Sequence, residues 1–239
     1  MSKHYVGQSA DLALLERGRV EVKGRLPWSS NATFLVVVRD KGREASAIYK
    51  PGRGERPLWD FERGLWRREV AAFELARHLG WDIVPPTVGR HDGPFGAGSL
   101  QLWVEANFEE HYFTLFESPE HAAALKTVAA FDLVINNADR KSGHCLLDDQ
   151  GHIWAIDNAL SFHAEPKLRT VIWDFVGERI DAALLDDLAG LSAGEVPEAL
   201  RSLLEPEEIE ALVKRAASVR RRGTYPTPKS DYPYPWPLV

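Results

Sequence analysis

The chain has 239 residues, 44% hydrophobic and 27% charged, with a formal net charge of -6 and a pI near 5.8. That is room for one large domain or two lobes, and the acidic balance weighs against a nucleic-acid partner, whose binders gain affinity from clustered Lys and Arg. The single cysteine, Cys145, excludes an intramolecular disulfide and a Cys-based zinc site. No run reads as a signal peptide or a membrane span, so the expectation is a cytoplasmic protein with a buried, core Cys145.

Residues 19–26, "RVEVKGRL", alternate polar and apolar and predict a strand, which "PWSSN" interrupts. Residues 32–40, "ATFLVVVRD", are β-branched and apolar; "DKG" is a turn; residues 44–50, "EASAIYK", alternate again until Pro51. Residues 51–64, with three glycines and two prolines, read as a loop. Residues 65–79, "LWRREVAAFELARHL", predict a helix ended by Gly80. At helical spacing Arg67, Arg68, Glu74, Arg77 and His78 share one side, and Leu65, Ala72, Phe73, Ala76 and Leu79 the other. Glu69 falls in the middle of the apolar side, where a lone carboxylate is costly without a cation.

Next come a Pro-bounded strand, a glycine-rich turn and an apolar strand, "SLQLWVE", at 99–105. The pattern turns helical from Asn107, and residues 121–135, "HAAALKTVAAFDLVI", predict a second helix. "HCLLD", the turn "DQG" and "HIWAID" form a hairpin; "DAALLDDLAGL" and "PEEIEALVKRAASVRRR" are helical. The tail is rich in Pro and aromatics, which are expected to pack across their own domain. The chain thus divides into a strand-rich half (1–104), a helix-rich half (105–222) and a tail (223–239).

Four charged residues fall in a telling order. Lys50 ends a strand, Glu69 sits on the inner face of the next helix, Asp139 lies in a loop after a helix, and Asp157 ends the following hairpin. Phosphoryl transfer needs a Lys for the nucleotide's phosphates, a Glu to hold that Lys, a carboxylate for the nucleophile's proton, and ligands for a divalent metal. Magnesium takes hard oxygens and keeps several waters, so few protein ligands suffice.

This order resembles the protein-kinase-like superfamily, especially its phosphoinositide 3-/4-kinase-related branch. That branch carries an Asp-Arg-His-x-x-Asn catalytic loop and an Asp-led metal motif; here these read "DRKSGH" (139–144) and "IDNAL" (156–160). "SSNATFL" (29–35), "YKP" (49–51), "REVAA" (68–72), "NNADRKSGH" (136–144) and "SFH" (161–163) are similar to the pattern of an uncharacterised bacterial family related to phosphoinositide kinases. The resemblance implies an α+β, two-lobed protein-kinase-like fold with a small β-rich N-lobe and a helical C-lobe. It implies an ATP-dependent phosphotransferase using Mg²⁺ or Mn²⁺.

Residue by residue, the resemblance assigns Lys50 to the phosphates and Glu69 to Lys50. It assigns Ser29, Ser30 and Asn31 to a phosphate-facing loop, and the backbone of Leu102, Trp103 and Val104 to the adenine. Asp139 becomes the base and Asp157 a metal ligand. Lys141 departs from the lipid-kinase His and matches the protein-kinase Lys that stabilises the transferring phosphoryl group. His144 stands where both patterns carry a metal-binding Asn; imidazole is a poor ligand for magnesium and a fair one for manganese. Arg140 reads as structural, and Asn136 and Asn137 as residues that order the loop.

Two rivals stand beside this reading. One is a nucleotide-binding pseudokinase. The other is a metal-dependent hydrolase built from Asp139, His144, Asp157 and His163. In lipid kinases the segment after the metal motif meets the headgroup with basic residues. Residues 165–170 hold only Lys167 and Arg169, which favours a protein or small-molecule acceptor over a lipid.

Overall fold

Side chains alternate in burial along β1 (Arg19–Arg25), β2 (Phe34–Asp40) and β3 (Arg43–Pro51), so these strands need a partner layer on one face only. The computed structural model describes residues 3–27, 29 and 31–239; Ser30, one of the phosphate-loop residues named above, lies outside them. The three strands join β4 (Thr87–Arg90) and β5 (Gly98–Leu102) in one antiparallel sheet of order β1-β2-β3-β5-β4. An unpredicted helix, α1 (Lys3–Arg17), covers the sheet, burying Leu14 and Leu15 against Val36, Val38, Tyr49 and Leu100.

The predicted strand 99–105 stops at Leu102; the Trp103 N–H still donates to the Ser46 carbonyl of β3 (3.0 Å), and beyond that bond the chain leaves the sheet. It then enters the second half, where the Asn107 N–H donates to the Leu147 carbonyl at 3.1 Å.

Helix α2 (Leu65–Leu79) matches its predicted bounds, and Gly80, at φ 73°, closes it by donating to the Ala76 and Arg77 carbonyls. The helix is buried on more than the predicted side. Arg68, grouped by spacing with the charged residues, is buried and ion-paired with Glu208.

The second half holds α3 (Tyr112–Leu115), α4 (Ala122–Ile135), the hairpin β6 (Cys145–Leu147) and β7 (Ile153–Ala155), then α5 (Ala182–Asp187), α6 (Ala189–Ser192), α7 (Glu198–Leu203) and α8 (Pro206–Arg222). Its core joins Phe73, Leu75 and Leu79 of α2 to Phe131, Val134 and Ile135 of α4, to Cys145, and to Leu212 of α8. Helix α2 therefore belongs to the packing of both halves, and any residue it carries is fixed relative to both.

The tail runs back across the helical half. The Pro233 carbonyl accepts from the Thr170 N–H (3.0 Å) and Trp173 Nε1 (3.2 Å), and the Leu238 carbonyl accepts from the Ser142 N–H (2.8 Å). Its backbone docks, but its aromatics mostly do not: Tyr225 is buried, while Tyr232, Tyr234 and Trp236 are exposed. Among the described residues no helix is long and apolar enough to cross a membrane.

Candidate active site

Strand β3 delivers Lys50 and helix α2 delivers Glu69, and the two form an ion pair. The same ammonium donates to Asp157 Oδ1 at 2.9 Å. Burial alone would lower the Lys50 pKa, but Asp157 and Glu69 outweigh it and hold the group above its usual range. Burial pushes the Glu69 carboxyl up, with Lys50 and the Asn158 N–H pulling the other way. Glu69 is 1% exposed, which answers the cost of a carboxylate on an apolar face: it is paired. Asp157 is held well below the usual carboxylate range, chiefly by Lys50, and its side chain is 47% exposed.

Two carboxylates thus share one ammonium, and the outer one faces solvent. This arrangement fits a single hard cation that keeps its waters and shares a nucleotide's phosphate oxygens. Asp157 is the carboxylate that could hold it. Asp157 also sits at φ 57°, and Phe162, five residues on, at φ 66°. Such left-handed backbone is costly for side chains of these kinds and collects at functional sites.

The loop after α4 carries Asp139. The Asp139 N–H donates to Asn137 Oδ1 at 2.9 Å, and Asn136 Nδ2 donates to the carbonyls of His163 (2.9 Å) and Glu165 (2.7 Å), so both asparagines order the loop. Burial, only partly offset by Lys141, pushes the Asp139 carboxyl up to about 6. Lys141 Nζ lies 3.8 Å from Asp139 Oδ2.

His144 is drawn into the cluster, with Nε2 3.4 Å from Asp157 Oδ2. Its Nδ1 accepts from the Lys141 N–H at 3.3 Å, which leaves the proton of the neutral ring on Nε2, facing Asp157. Burial lowers its pKa to about 4, so the ring is neutral at pH 7. His163 is not drawn in: its Nδ1 accepts from the Glu165 N–H at 3.0 Å and its ring meets the Phe61 ring edge-on. Among the described residues no group of three or more His, Cys, Asp or Glu could hold a metal ion. The four-ligand set of the hydrolase reading is therefore not assembled.

The other assigned residues are less committed. Asn31 Oδ1 accepts from the Arg56 N–H at 2.9 Å, tying its loop to the segment after β3, and Ser29 is half-buried beside it. The Leu102 N–H is used by the Pro86 carbonyl and the Trp103 N–H by that of Ser46; Val104 has no backbone hydrogen bond among the described residues.

Sequence reasoning read Arg140 as structural but missed its partners Asp132 and Asn158, which brace the site with it. Arg140 is fully buried; its Nε lies 3.1 Å from both carboxylate oxygens of Asp132, and its Nη2 reaches Asn158 Oδ1 at 2.6 Å. The Asn158 N–H in turn donates to Glu69 Oε2 at 3.1 Å. One chain of bonds thus runs from α4 through Arg140 and Asn158 to Glu69 of α2. The signal was available for Asp132, a lone carboxylate in an apolar helical run like Glu69. Asn158 lies inside the motif "IDNAL", but nothing there marked its bonds to Arg140 and Glu69.

No protein-family model matches the chain. Among solved structures it is similar to Fam20 of hydra, determined with sugar, at TM-score 0.59 and 16% identity, covering 92% of this chain and 89% of that one. It also aligns with CtkA, a proinflammatory kinase of Helicobacter pylori, at TM-score 0.48 and 11% identity over 88% of this chain and 94% of that one. The hydra likeness spans both halves, and the fold is protein-kinase-like, with an antiparallel sheet in the first half and helices in the second. In sequence the chain is 38% identical over 262 aligned residues to protein Rv2133c of Mycobacterium tuberculosis, covering 94% of each, and it belongs to the family of that protein.

Proposed function

We propose that the chain is an ATP-dependent phosphotransferase that works with Mg²⁺ or Mn²⁺ on a protein or small-molecule acceptor. One observation carries the reading: the Lys50–Glu69 ion pair that phosphoryl transfer requires stands beside Asp157 of the second half, whose Oδ1 accepts from Lys50 Nζ at 2.9 Å. The division into an N-lobe (1–104), a C-lobe (105–222) and a tail (223–239) goes with it, the nucleotide lying between the lobes. The motifs "DRKSGH" and "IDNAL" support kinship with the phosphoinositide 3-/4-kinase-related branch.

In this reading Lys50 neutralises phosphate charge, and Ser29, Ser30 and Asn31 cover the phosphates. Backbone around Leu102, Trp103 and Val104 meets the adenine, with the Val104 N–H as the free donor. Asp139 orients the acceptor and takes its proton; a carboxyl pushed to about 6 is a stronger base than an ordinary Asp and still ionised at pH 7. Lys141 stabilises the transferring group. A divalent cation, when bound, supplies charge neutralisation at the phosphates, and Asp157 would hold it.

One observation favours a second reading, a nucleotide-binding pseudokinase: His144 presents a proton, not a lone pair, toward Asp157. Phosphate release and transfer from labelled ATP, with each metal, separate the two. The phosphotransferase reading expects turnover that falls at least about 100-fold in Asp139→Asn. Turnover that rises with Mg²⁺ in His144→Asn would mark His144 as a handicap at a genuine metal position. Nucleotide binding with no turnover under either metal supports the pseudokinase.

A further inference from the structure

A cavity of about 520 Å³ lies in the helical half, and none of Lys50, Glu69, Asp139, Lys141, His144 or Asp157 lines it. Its walls are α8, the segment 164–169 and the tail. Six basic side chains line it: Lys167, Arg169, Lys214, Arg215, Arg222 and Lys229. No Asp or Glu does, in a chain with 35 acidic residues against 29 basic ones. From the segment 165–170 alone the positive charge looked sparse; the fold brings four more cations to it from α8 and the tail.

Carboxylates outside the cavity hold two of the six: Lys167 reaches Asp60 at 3.5 Å, and Lys214 reaches Glu210 at 2.5 Å. Among the described residues no ion pair joins Arg169, Arg215, Arg222 or Lys229. Arg215 is the most exposed to this shortage. Its Nε donates to the Val134 carbonyl (2.8 Å) and its Nη1 to that of His163 (3.1 Å), while its Nη2 is buried with no partner. Burial pushes its pKa down to about 10. A guanidinium in that state gains from any anion brought beside it. Trp173, Tyr232 and prolines 166, 226 and 233 supply flat, apolar wall.

We propose that this cavity binds a small organic phosphate, its phosphoryl group against the basic residues and its apolar body against Trp173 and the prolines. The site goes beyond the phosphotransferase reading and does not depend on it. Its wall reaches the catalytic loop. The Arg169 N–H donates to the Asn137 carbonyl (2.9 Å), Arg169 Nε donates to that of Ala138 (2.8 Å), and the Arg169 carbonyl accepts from the Arg140 N–H (3.1 Å). A ligand held by Arg169 therefore bears on the backbone that carries Asp139.

Calorimetric titration of the full chain with naphthyl phosphate, inorganic phosphate and naphthol tests this. The expected result is saturable binding of naphthyl phosphate, at least about tenfold tighter than either fragment. It should weaken at least about tenfold in the double variant Arg222→Ala/Lys229→Ala, whose side chains are exposed and whose loss leaves the core untouched. Binding should be unchanged in Lys50→Ala, which removes the cation of the other site. No saturable binding at millimolar ligand would overturn the proposal. So would equal affinity in the double variant, or loss of binding in Lys50→Ala, which would move the ligand to the cluster of Lys50, Glu69 and Asp157.

Discussion

At the scale of single residues, charge in this protein is placed where burial works against it, and each placement has a measurable cost. Asp139 and His144 have opposite pH signatures. The folded-state pKa of Asp139 is raised to about 6, so its contribution to stability is fully present below about pH 4 and lost as pH rises through 6. That of His144 is lowered to about 4, so its contribution is present above about pH 6.5 and lost as pH falls through 4. In the wild type the two slopes offset one another. Urea unfolding in chelator should unmask each alone: Asp139→Asn gains stability as pH rises from 4 to 6.5, and His144→Asn loses it from 4 to 6, each on the order of 2 kcal/mol. Flat profiles in both variants would contradict the burial of these side chains. Arg140 is the more severe case. Removing it as Arg140→Met strands the Asp132 carboxylate in the core, and thermal unfolding should show a loss of about 3–5 kcal/mol.

At the scale of elements, α2 decides the geometry of the site, because one helix presents Glu69 to Lys50 and Arg68 to Glu208 of α8. Glu208→Ala leaves Arg68 buried without its carboxylate and should cost about 3 kcal/mol, while Arg68→Met keeps the packing and leaves Glu208, itself buried, with its bond from the Glu205 N–H in the first turn of α8, and so costs less. Equal losses in chemical denaturation would mean that the capping bond does not compensate Glu208 for its lost cation. Helix α2 was legible in the sequence because fifteen residues of helical period end at a glycine, and the strands because alternation stops at Pro and Gly. Helix α1 was not: its sequence, KHYVGQSADLALLER, includes a glycine and a valine and has no clear apolar stripe. Only docking on the sheet makes it a helix. Residues 99–105 were read as one strand because Trp103 and Val104 are apolar, yet the last bond to the sheet is made by the Trp103 N–H, and the chain then crosses between the halves.

At the scale of the whole molecule, distant segments meet at the loop that carries Asp139, and no local pattern could have foretold it. The order Lys50, Glu69, Asp139, Asp157 was visible in sequence because each sits at the end or inner face of a recognisable element. Asn158 sits beside Asp157 in "IDNAL", but its bracing bonds were invisible there. The tail's reach to Ser142, some hundred residues back in the chain, was equally so. Removing residues 234–239 takes away the Leu238 carbonyl, and hydrogen exchange at the Ser142 amide should quicken at least about tenfold while the β6–β7 amides stay protected. Unchanged exchange at Ser142 would mean that the tail does not hold the loop. The most direct measurement is nucleotide-induced thermal stabilisation with Mg²⁺ and with Mn²⁺ in wild type, Lys50→Ala and Asp157→Ala. The predicted result is a metal-dependent rise in Tm for the wild type, abolished in Lys50→Ala and stripped of its metal dependence in Asp157→Ala. No nucleotide-induced shift in the wild type under either metal would contradict a nucleotide site at Lys50, Glu69 and Asp157.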